Sequence, residues 1–212
     1  MSMKCIYCNH PYTYTLRDKQ IKCSKCKRKF SPRKIQREQK LRQLFTDGLN
    51  TTGASKKTSM HFNTVQKYYE RFRRDIALYA DEMYQYNSHR ITEYDEYLYL
   101  PKSLSIKNNV DKLQHFLTMS YDNNIYNIMM PKASHSIREN KDEDSKKLLL
   151  KYLKFNKISK LATAKNNITK FWSYFEEFIV QYKGVSDDQF IFYLKEAEWR
   201  YNTRDTLKDK LK

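Results

Sequence analysis

The sequence lacks the features of a membrane protein and of a disordered chain. No stretch approaches the roughly eighteen consecutive apolar residues that a membrane-spanning helix needs, so no membrane partner is expected. Glycine and proline are scarce, with 3 and 4 among 212 residues, which argues against long linkers and low-complexity disorder. No signal-peptide pattern precedes the first cysteine, and we therefore expect a cytoplasmic protein.

Cysteine occurs only 4 times, always near the start of the chain. The cysteines form two Cys-x-x-Cys pairs, Cys5 with Cys8 and Cys23 with Cys26, and fourteen residues separate the pairs. This spacing is typical of a zinc ribbon, in which four thiolates hold one tetrahedral Zn²⁺. The alternative is two structural disulfides in a secreted protein, for which a Cys-x-x-Cys pair has poor geometry. We predict a zinc ribbon over residues 1–31, where the metal replaces a core that so short a segment cannot build.

Positive charge is concentrated in the first third of the chain. Residues 1–74 contain 19 Lys and Arg against 4 Asp and Glu, a net charge of +15, whereas residues 75–212 carry only +2. Such a module attracts a phosphate backbone, although a solvated basic face is the simpler alternative. A membrane surface is a weaker alternative because no amphipathic helix with a Trp/Leu face accompanies the charge. The candidate phosphate contacts at the end of the ribbon are Lys27, Arg28, Lys29, Arg33 and Lys34.

Residues 32–82 are predicted to form a helix-turn-helix. Ser31-Pro32 can cap a helix over 34–49, a weaker helix covers 55–60, and a third covers 64–79. The start of the third helix would enter the major groove of duplex DNA, although RNA stays open as the polymer. The candidate base contacts are Asn63, Thr64, Gln66 and Lys67, and the candidate phosphate contacts are Arg71, Arg73 and Arg74. The alternative is a helical connector, in which the apolar residues of the third helix are simply core.

The remainder, residues 83–212, changes to a strand pattern and then to helices. Strands are predicted at 91–100, 113–121 and 125–130, with a hairpin turn at 122–124. A helix at 142–154, a strand at 157–163 and helices at 167–182 and 186–201 follow. Periodicity predicts an α/β or α+β body. The order of elements is that of a ribonuclease-H-like mixed sheet with helices packed on it.

Several stretches together resemble one family. They are the cysteine quartet, Asn-Thr-Val-Gln-Lys-Tyr-Tyr at 63–69, Tyr-Asp-Glu-Tyr at 94–97, Asn-Asn-Ile-Thr-Lys-Phe-Trp-Ser at 166–173 and Tyr-Leu-Lys-Glu-Ala-Glu-Trp-Arg-Tyr-Asn-Thr-Arg at 193–204. In this order they are similar to the zinc-ribbon DDE transposases of bacterial insertion sequences, over nearly the whole chain. The resemblance implies a bacterial protein associated with the nucleoid and an α+β fold that ends in a reduced ribonuclease-H-like domain.

The resemblance also implies a catalytic centre of acidic residues that hold two Mg²⁺ ions for phosphodiester chemistry. Asp95 stands where the first carboxylate belongs. The strand 157–163 is followed by Ala164 instead of an aspartate, and Thr169 occupies the place of the last acid. Glu176 lies roughly 10 Å farther along the same helix, too far to share a metal. We therefore expect an incomplete centre, with Asp95 catalytic and Mg²⁺ bound only if another acid substitutes.

The resulting hypothesis is a DNA-binding protein derived from a transposase, which binds double-stranded DNA as a transcriptional or architectural regulator. Its C-terminal domain would serve for dimerisation or for contact with a protein partner. The alternatives are an active, divergent transposase and the product of a decaying gene. The aromatic residues of the last two helices either cover the sheet or form a partner site. These residues are Trp172, Phe175, Phe178, Phe190, Phe192 and Trp199.

Overall fold

The computed structural model describes residues 3–100, 114–130 and 166–204. The fold is α+β, as predicted, with two small antiparallel sheets and five α-helices in the described residues. The chain divides into two compact units, Met1–Phe72 and Arg73–Lys212. The boundary falls within a long helix, and the predicted divisions after residues 31 and 82 stay predictions. None of the helices in the described ranges has the length and apolar composition needed to cross a bilayer.

The first unit begins with an antiparallel three-stranded sheet, called the N-terminal sheet here. Its strands are β1 (Thr13–Thr15), β2 (Ile21–Cys23) and β3 (Lys29–Phe30), in the order β1-β2-β3. Side chains alternate between the two faces of a strand, so Ile21, Cys23 and Phe30 share one face. They pack with Cys5 into a small cluster. The side chains on the opposite face of this sheet point towards solvent.

Three helices follow: α1 (Pro32–Thr46), α2 (Thr51–Thr58) and α3 (Phe62–Asn87). The Ser31 hydroxyl accepts a hydrogen bond from the Lys34 backbone N–H at 3.4 Å, and proline occupies the first turn, as the sequence predicts. Asn50 caps α2 in the same way, which starts this helix earlier than predicted. α3 extends to Asn87, beyond the predicted end at 79.

An aromatic core joins α1 to the first half of α3. Phe45 lies edge-to-face against Tyr69, with ring centroids 4.9 Å apart, and contacts Phe72 at 5.7 Å. Leu41 and Val65 are also fully buried. Tyr69, Phe72 and Val65 are therefore core residues, as expected for either interpretation of this helix. Their burial stabilises the unit and leaves the opposite side of α3 to solvent.

The second unit contains a sheet of β4 (Glu93–Tyr99), β5 (Gln114–Tyr121) and β6 (Asn124–Met130), antiparallel and in that order. Asp122 and Asn123 join β5 to β6 with φ values of 45° and 63°. Two central residues with positive φ are the signature of a type I′ turn, which suits the twist of a hairpin. The hairpin predicted at 122–124 is therefore present.

Helices cover both faces of this sheet. α4 (Asn167–Val180) and α5 (Asp187–Asn202) pack on one face through a cluster that contains Phe116, Trp172 and Phe175. On the other face, Tyr84 from the second half of α3 stacks on Tyr126 with ring centroids 4.1 Å apart. The aromatic residues of the last two helices thus largely cover the sheet, since Trp172, Phe175, Phe178 and Phe190 are buried.

Part of the predicted body falls outside the described residues. The helix predicted at 142–154 and the strand predicted at 157–163 lie there, and that strand would make the sheet mixed. The described strands form an antiparallel meander. The ribonuclease-H-like architecture therefore remains a prediction. The helix-turn-helix also remains a prediction.

Candidate metal centre and basic surface

The four predicted metal ligands lie together. The Sγ atoms of Cys5, Cys8, Cys23 and Cys26 are all within 4.8 Å of one another. The Cys5–Cys26 and Cys8–Cys23 sulfur pairs are 3.6 and 3.7 Å apart. Four sulfurs about 2.3 Å from a tetrahedral Zn²⁺ would lie about 3.8 Å from each other. The quartet therefore has the size of a tetrahedral metal site, and its cysteines are free thiols instead of the alternative disulfides.

The two Cys-x-x-Cys turns have nearly the same backbone. The N–H of Cys5 donates to the carbonyl of His10 at 2.9 Å, and the N–H of Cys23 donates to the carbonyl of Arg28 at 3.1 Å. Asn9 and Lys27, each four residues after the first cysteine of its pair, have φ values of 54° and 59°. This left-handed residue turns the chain back so that both cysteines of a pair face the same point.

The backbone of the second turn also favours a thiolate. Burial of Cys23 disfavours the charged form, but backbone N–H groups of Cys26 and Lys25 donate to its sulfur and lower its pKa to about 6. The backbone N–H of Arg28 favours the Cys26 thiolate, but burial and the neighbouring thiols outweigh it and raise the pKa of Cys26 to about 11. Thiols this close do not all ionise without a cation between them, which fits a metal as their common partner.

Most predicted nucleic-acid contacts of the first unit lie on its surface. The exposed ones are Lys27, Arg28, Lys29, Arg33, Lys34, Asn63, Gln66, Lys67 and Arg71. Thr64 is half-buried. Lys56 and Lys57, in the last turn of α2, are also exposed and were not selected from the sequence. Their position directly before the turn into α3 was the signal that could have found them.

Two arginines of α3 are engaged by carboxylates. Arg71 is exposed, but its guanidinium contacts the Glu38 carboxylate at 2.6 Å. Arg73 was predicted to contact phosphate, and this prediction is wrong for the structure described: its side chain is 2% exposed and pairs with Glu196 at 2.7 Å. Helical position alone could not reveal this, because the partner lies 123 residues away in sequence. Arg74 is exposed.

Arg73 belongs to a buried charged cluster in the second unit. The Glu196 carboxylate accepts from Arg73 and, at 2.9 Å, from Arg200 one turn along α5. The Arg73 guanidinium also lies over the Tyr193 and Tyr182 rings, 4.0 and 5.3 Å from their centroids. Glu196 and Arg200 are in the stretch that resembles the transposase ending, and here they carry a structural role.

Two further residues of that stretch close the outer edge of β6. The Glu198 carboxylate accepts from the backbone N–H of Asn127 at 2.9 Å, and Asn202 pairs with the N–H and C=O of Ile125 at 2.8 Å each. Four helical residues rise about 6 Å, close to the spacing of two strand residues. Lys195 neutralises Glu198 at 3.2 Å. Burial raises the pKa of Glu198 and lowers that of Lys195, and their attraction opposes both shifts.

Asp95 lies on β4 on the face that α4 and α5 cover. In register, its neighbours across the sheet are Thr118 on β5 and then Asn127 on β6. The Thr118 hydroxyl accepts from Trp172 Nε1 at 3.0 Å and donates to Asn127 at 2.8 Å. This register row therefore offers one carboxylate where the resemblance implies several.

The other acids considered for this centre are placed elsewhere. Glu176 accepts a hydrogen bond from the Tyr97 hydroxyl at 2.9 Å, and Thr169 bonds the Asn166 cap of α4. Among the residues that the structure describes, the cysteine quartet is the only group of three or more Cys, His, Asp or Glu side chains placed to hold a metal. The position predicted for the second acid, next to the strand 157–163, lies outside those residues.

Comparison with protein family models, with curated proteins and with solved structures found no match for this chain.

Proposed function

We propose that this chain is a sequence-specific DNA-binding protein derived from an insertion-sequence transposase, with a regulatory or architectural role. The observation that carries the proposal is a short helix α2, a three-residue connection and a long α3 with an exposed polar start, in a strongly basic unit. Residues 1–72 contain 17 Lys and Arg against 4 Asp and Glu, a net charge of +13. Such a unit gains affinity for duplex DNA by release of counterions.

The first two turns of α3 would read base edges in the major groove. Asn63 and Gln66 are exposed and three residues apart, so they lie on one face of the helix. Amide side chains pair with adenine through two hydrogen bonds, and Lys67 can contact guanine or a phosphate. Arg71 pairs with Glu38, and the Gln66 amide donates to the Glu70 carboxylate at 3.1 Å, so Gln66 would exchange this contact for a base edge. The proposed sites therefore contain adenine at the positions that α3 faces.

The cysteine quartet would hold a structural Zn²⁺. Four thiolates at tetrahedral spacing are the donor set that selects zinc over magnesium or calcium. The metal would fix the N-terminal sheet, whose apolar cluster in the described residues is small, and thereby the basic residues from Lys27 to Lys34. Metal binding and folding of this segment would be one event.

A salt titration of duplex binding by the full chain tests the proposal. If about six phosphates are contacted, the logarithm of the binding constant should fall with the logarithm of salt concentration with a slope of about −5. Gln66→Ala should relax preference at one base pair by about 1–3 kcal/mol, whereas Gln85→Ala, an exposed glutamine in the second half of α3, should not. A slope near zero, or no binding at low salt, would end the proposal.

The transposase alternative has one observation in its favour, since Asp95 lies on β4, the first strand in the sheet of the second unit. Its register neighbours Thr118 and Asn127 are not metal-binding carboxylates. We therefore propose that the second unit is a folded scaffold for dimerisation or for a protein partner. Sedimentation of the full chain with and without duplex DNA would measure whether it dimerises.

A further inference from the structure

The outward face of the N-terminal sheet carries a row of one tyrosine and two lysines. Tyr14 on β1 is paired in register with Lys22 on β2, and Lys22 is paired with Lys29 on β3. Neighbouring strands lie about 4.8 Å apart, so the three side chains are adjacent on one face. Tyr14 is 45% exposed. The other face is occupied by the cysteine cluster, which leaves this row as the more accessible side of the sheet, with Lys29 exposed and Lys22 half-buried.

A second tyrosine extends this face along β1. Tyr12 is 72% exposed, and its carbonyl accepts from the backbone N–H and the hydroxyl of Ser24, at 3.2 and 2.9 Å. The pairing of β1 with the chain after β2 thus continues to Tyr12. Two residues apart on an extended strand, Tyr12 and Tyr14 point to the same side about 7 Å from each other.

Exposed aromatic rings beside lysines are suited to single-stranded nucleic acid. Bases stack on aromatic faces whatever their sequence, and cations follow the phosphates. A bare polyanion would use only the lysines, and an apolar partner would not match a segment in which residues 1–31 contain 8 Lys and Arg against 1 Asp. In duplex DNA the base faces are already stacked and cannot reach these rings.

We propose that the outward face of the N-terminal sheet binds single-stranded DNA, with bases stacked on Tyr12 and Tyr14 and phosphates on Lys22 and Lys29. The choice of DNA over RNA rests on the proposed function, because the same unit would hold duplex DNA through α3. The surface itself does not depend on α3. The protein would therefore hold an unpaired strand next to a recognised duplex, as at a melted site or a DNA end.

Fluorescence anisotropy of the zinc-loaded full chain with a labelled oligo(dT) at low salt tests this assignment. Tyr12→Ala and Tyr14→Ala should each weaken binding about tenfold, whereas Tyr14→Phe should bind like the parent because the ring is kept. Lys22→Ala should reduce the salt slope by about 0.7. Tyr86→Ala is the matched control, since Tyr86 is also 72% exposed but lies outside the first unit.

The outcomes separate this proposal from the proposed function. Asn63→Ala should weaken binding to a selected duplex and leave oligo(dT) binding unchanged. Failure of duplex binding with intact oligo(dT) binding would remove the proposed function alone. Unchanged oligo(dT) affinity in both tyrosine-to-alanine variants would overturn the stacking surface, as would equal competition by polyglutamate. Tighter binding of oligo(U) than of oligo(dT) would overturn the assignment to DNA.

Discussion

Arg73 and Glu196 form an ion pair with side chains 2% and 1% exposed. A buried ion pair contributes little more stability than an apolar pair of similar shape. Removal of one partner is costly, however, because the other charge is left buried without its counter-charge. Glu196 is also bonded by Arg200, so its carboxylate pairs with two cations. Substitution of Glu196 should therefore affect stability more than the loss of one surface charge would.

Glu196→Gln should lower the free energy of unfolding by about 3 kcal/mol, because it removes a buried negative charge that pairs with two guanidinium groups. Urea denaturation monitored by tryptophan fluorescence measures this, since both tryptophans lie in the second unit. Arg90→Ala is the control: its pair with Asp122 is 50% and 54% exposed and should cost less than about 1 kcal/mol. Equal effects of the two variants would contradict the buried role of Glu196.

Tyr182 gives a pH prediction. Burial, followed by the nearby Glu196 carboxylate, raises the pKa of Tyr182 from 10.0 to about 12, despite attraction to Arg73. The folded state therefore keeps a proton that the unfolded state releases first. The stability due to the neutral phenol is complete below about pH 10 and should be lost as pH rises from there to about 12.

The measurement is urea unfolding at a series of alkaline pH values. The parent should lose on the order of 2 kcal/mol more than Tyr182→Phe across this window, because phenylalanine has no proton to release. Tyr86→Phe is the control, since Tyr86 is 72% exposed. Identical pH profiles for the parent and Tyr182→Phe would contradict the cause given for the shift.

At the scale of elements, the N-terminal sheet depends on its cysteines. Its buried cluster consists of Cys5, Cys23 and Phe30, with three more residues packed partly against it. Strands of two and three residues bury too little apolar surface to offset the entropy lost on folding. A metal held by the four cysteines would supply the missing stabilisation.

Cys8→Ser should lower the zinc content below the one ion per chain expected of the parent, and it should unfold the N-terminal sheet. Amide NMR signals of β1 to β3 should lose their dispersion, and duplex and oligo(dT) binding should weaken together. The second unit provides the control readout, because the fluorescence of Trp172 and Trp199 should stay unchanged. Full zinc content with dispersed signals in the variant would contradict a four-thiolate site.

At the scale of the whole molecule, we expect DNA binding from the first unit and no nuclease activity from the second. Asp95→Asn should therefore leave duplex affinity and salt slope unchanged. The parent should show no Mg²⁺- or Mn²⁺-dependent cleavage of DNA that carries candidate terminal repeats. Cleavage by the parent that Asp95→Asn abolishes would establish the transposase alternative and replace the scaffold role.

Local signals predicted most of the described elements. The Ser31-Pro32 cap gave the start of α1, and the turn residues at 122–124 gave the β5–β6 hairpin, because both depend on neighbouring residues alone. α2 begins earlier than predicted because the Asn50 side chain caps it. α3 ends later than predicted because its second half is held by packing against β5 and β6.

The sequence by itself determined the cysteine quartet that could hold a metal, since two Cys-x-x-Cys turns bring their sulfurs together through short-range backbone geometry. It also determined the concentration of positive charge in the first third of the chain. Only the tertiary structure decided the fate of individual polar residues. Arg73 has the sequence pattern of a surface cation, but it is buried in an ion pair with Glu196. Glu198 and Asn202 form hydrogen bonds with the edge of a strand more than seventy residues away in sequence. Long-range pairing of this kind depends on packing between elements, which spacing along one chain does not encode.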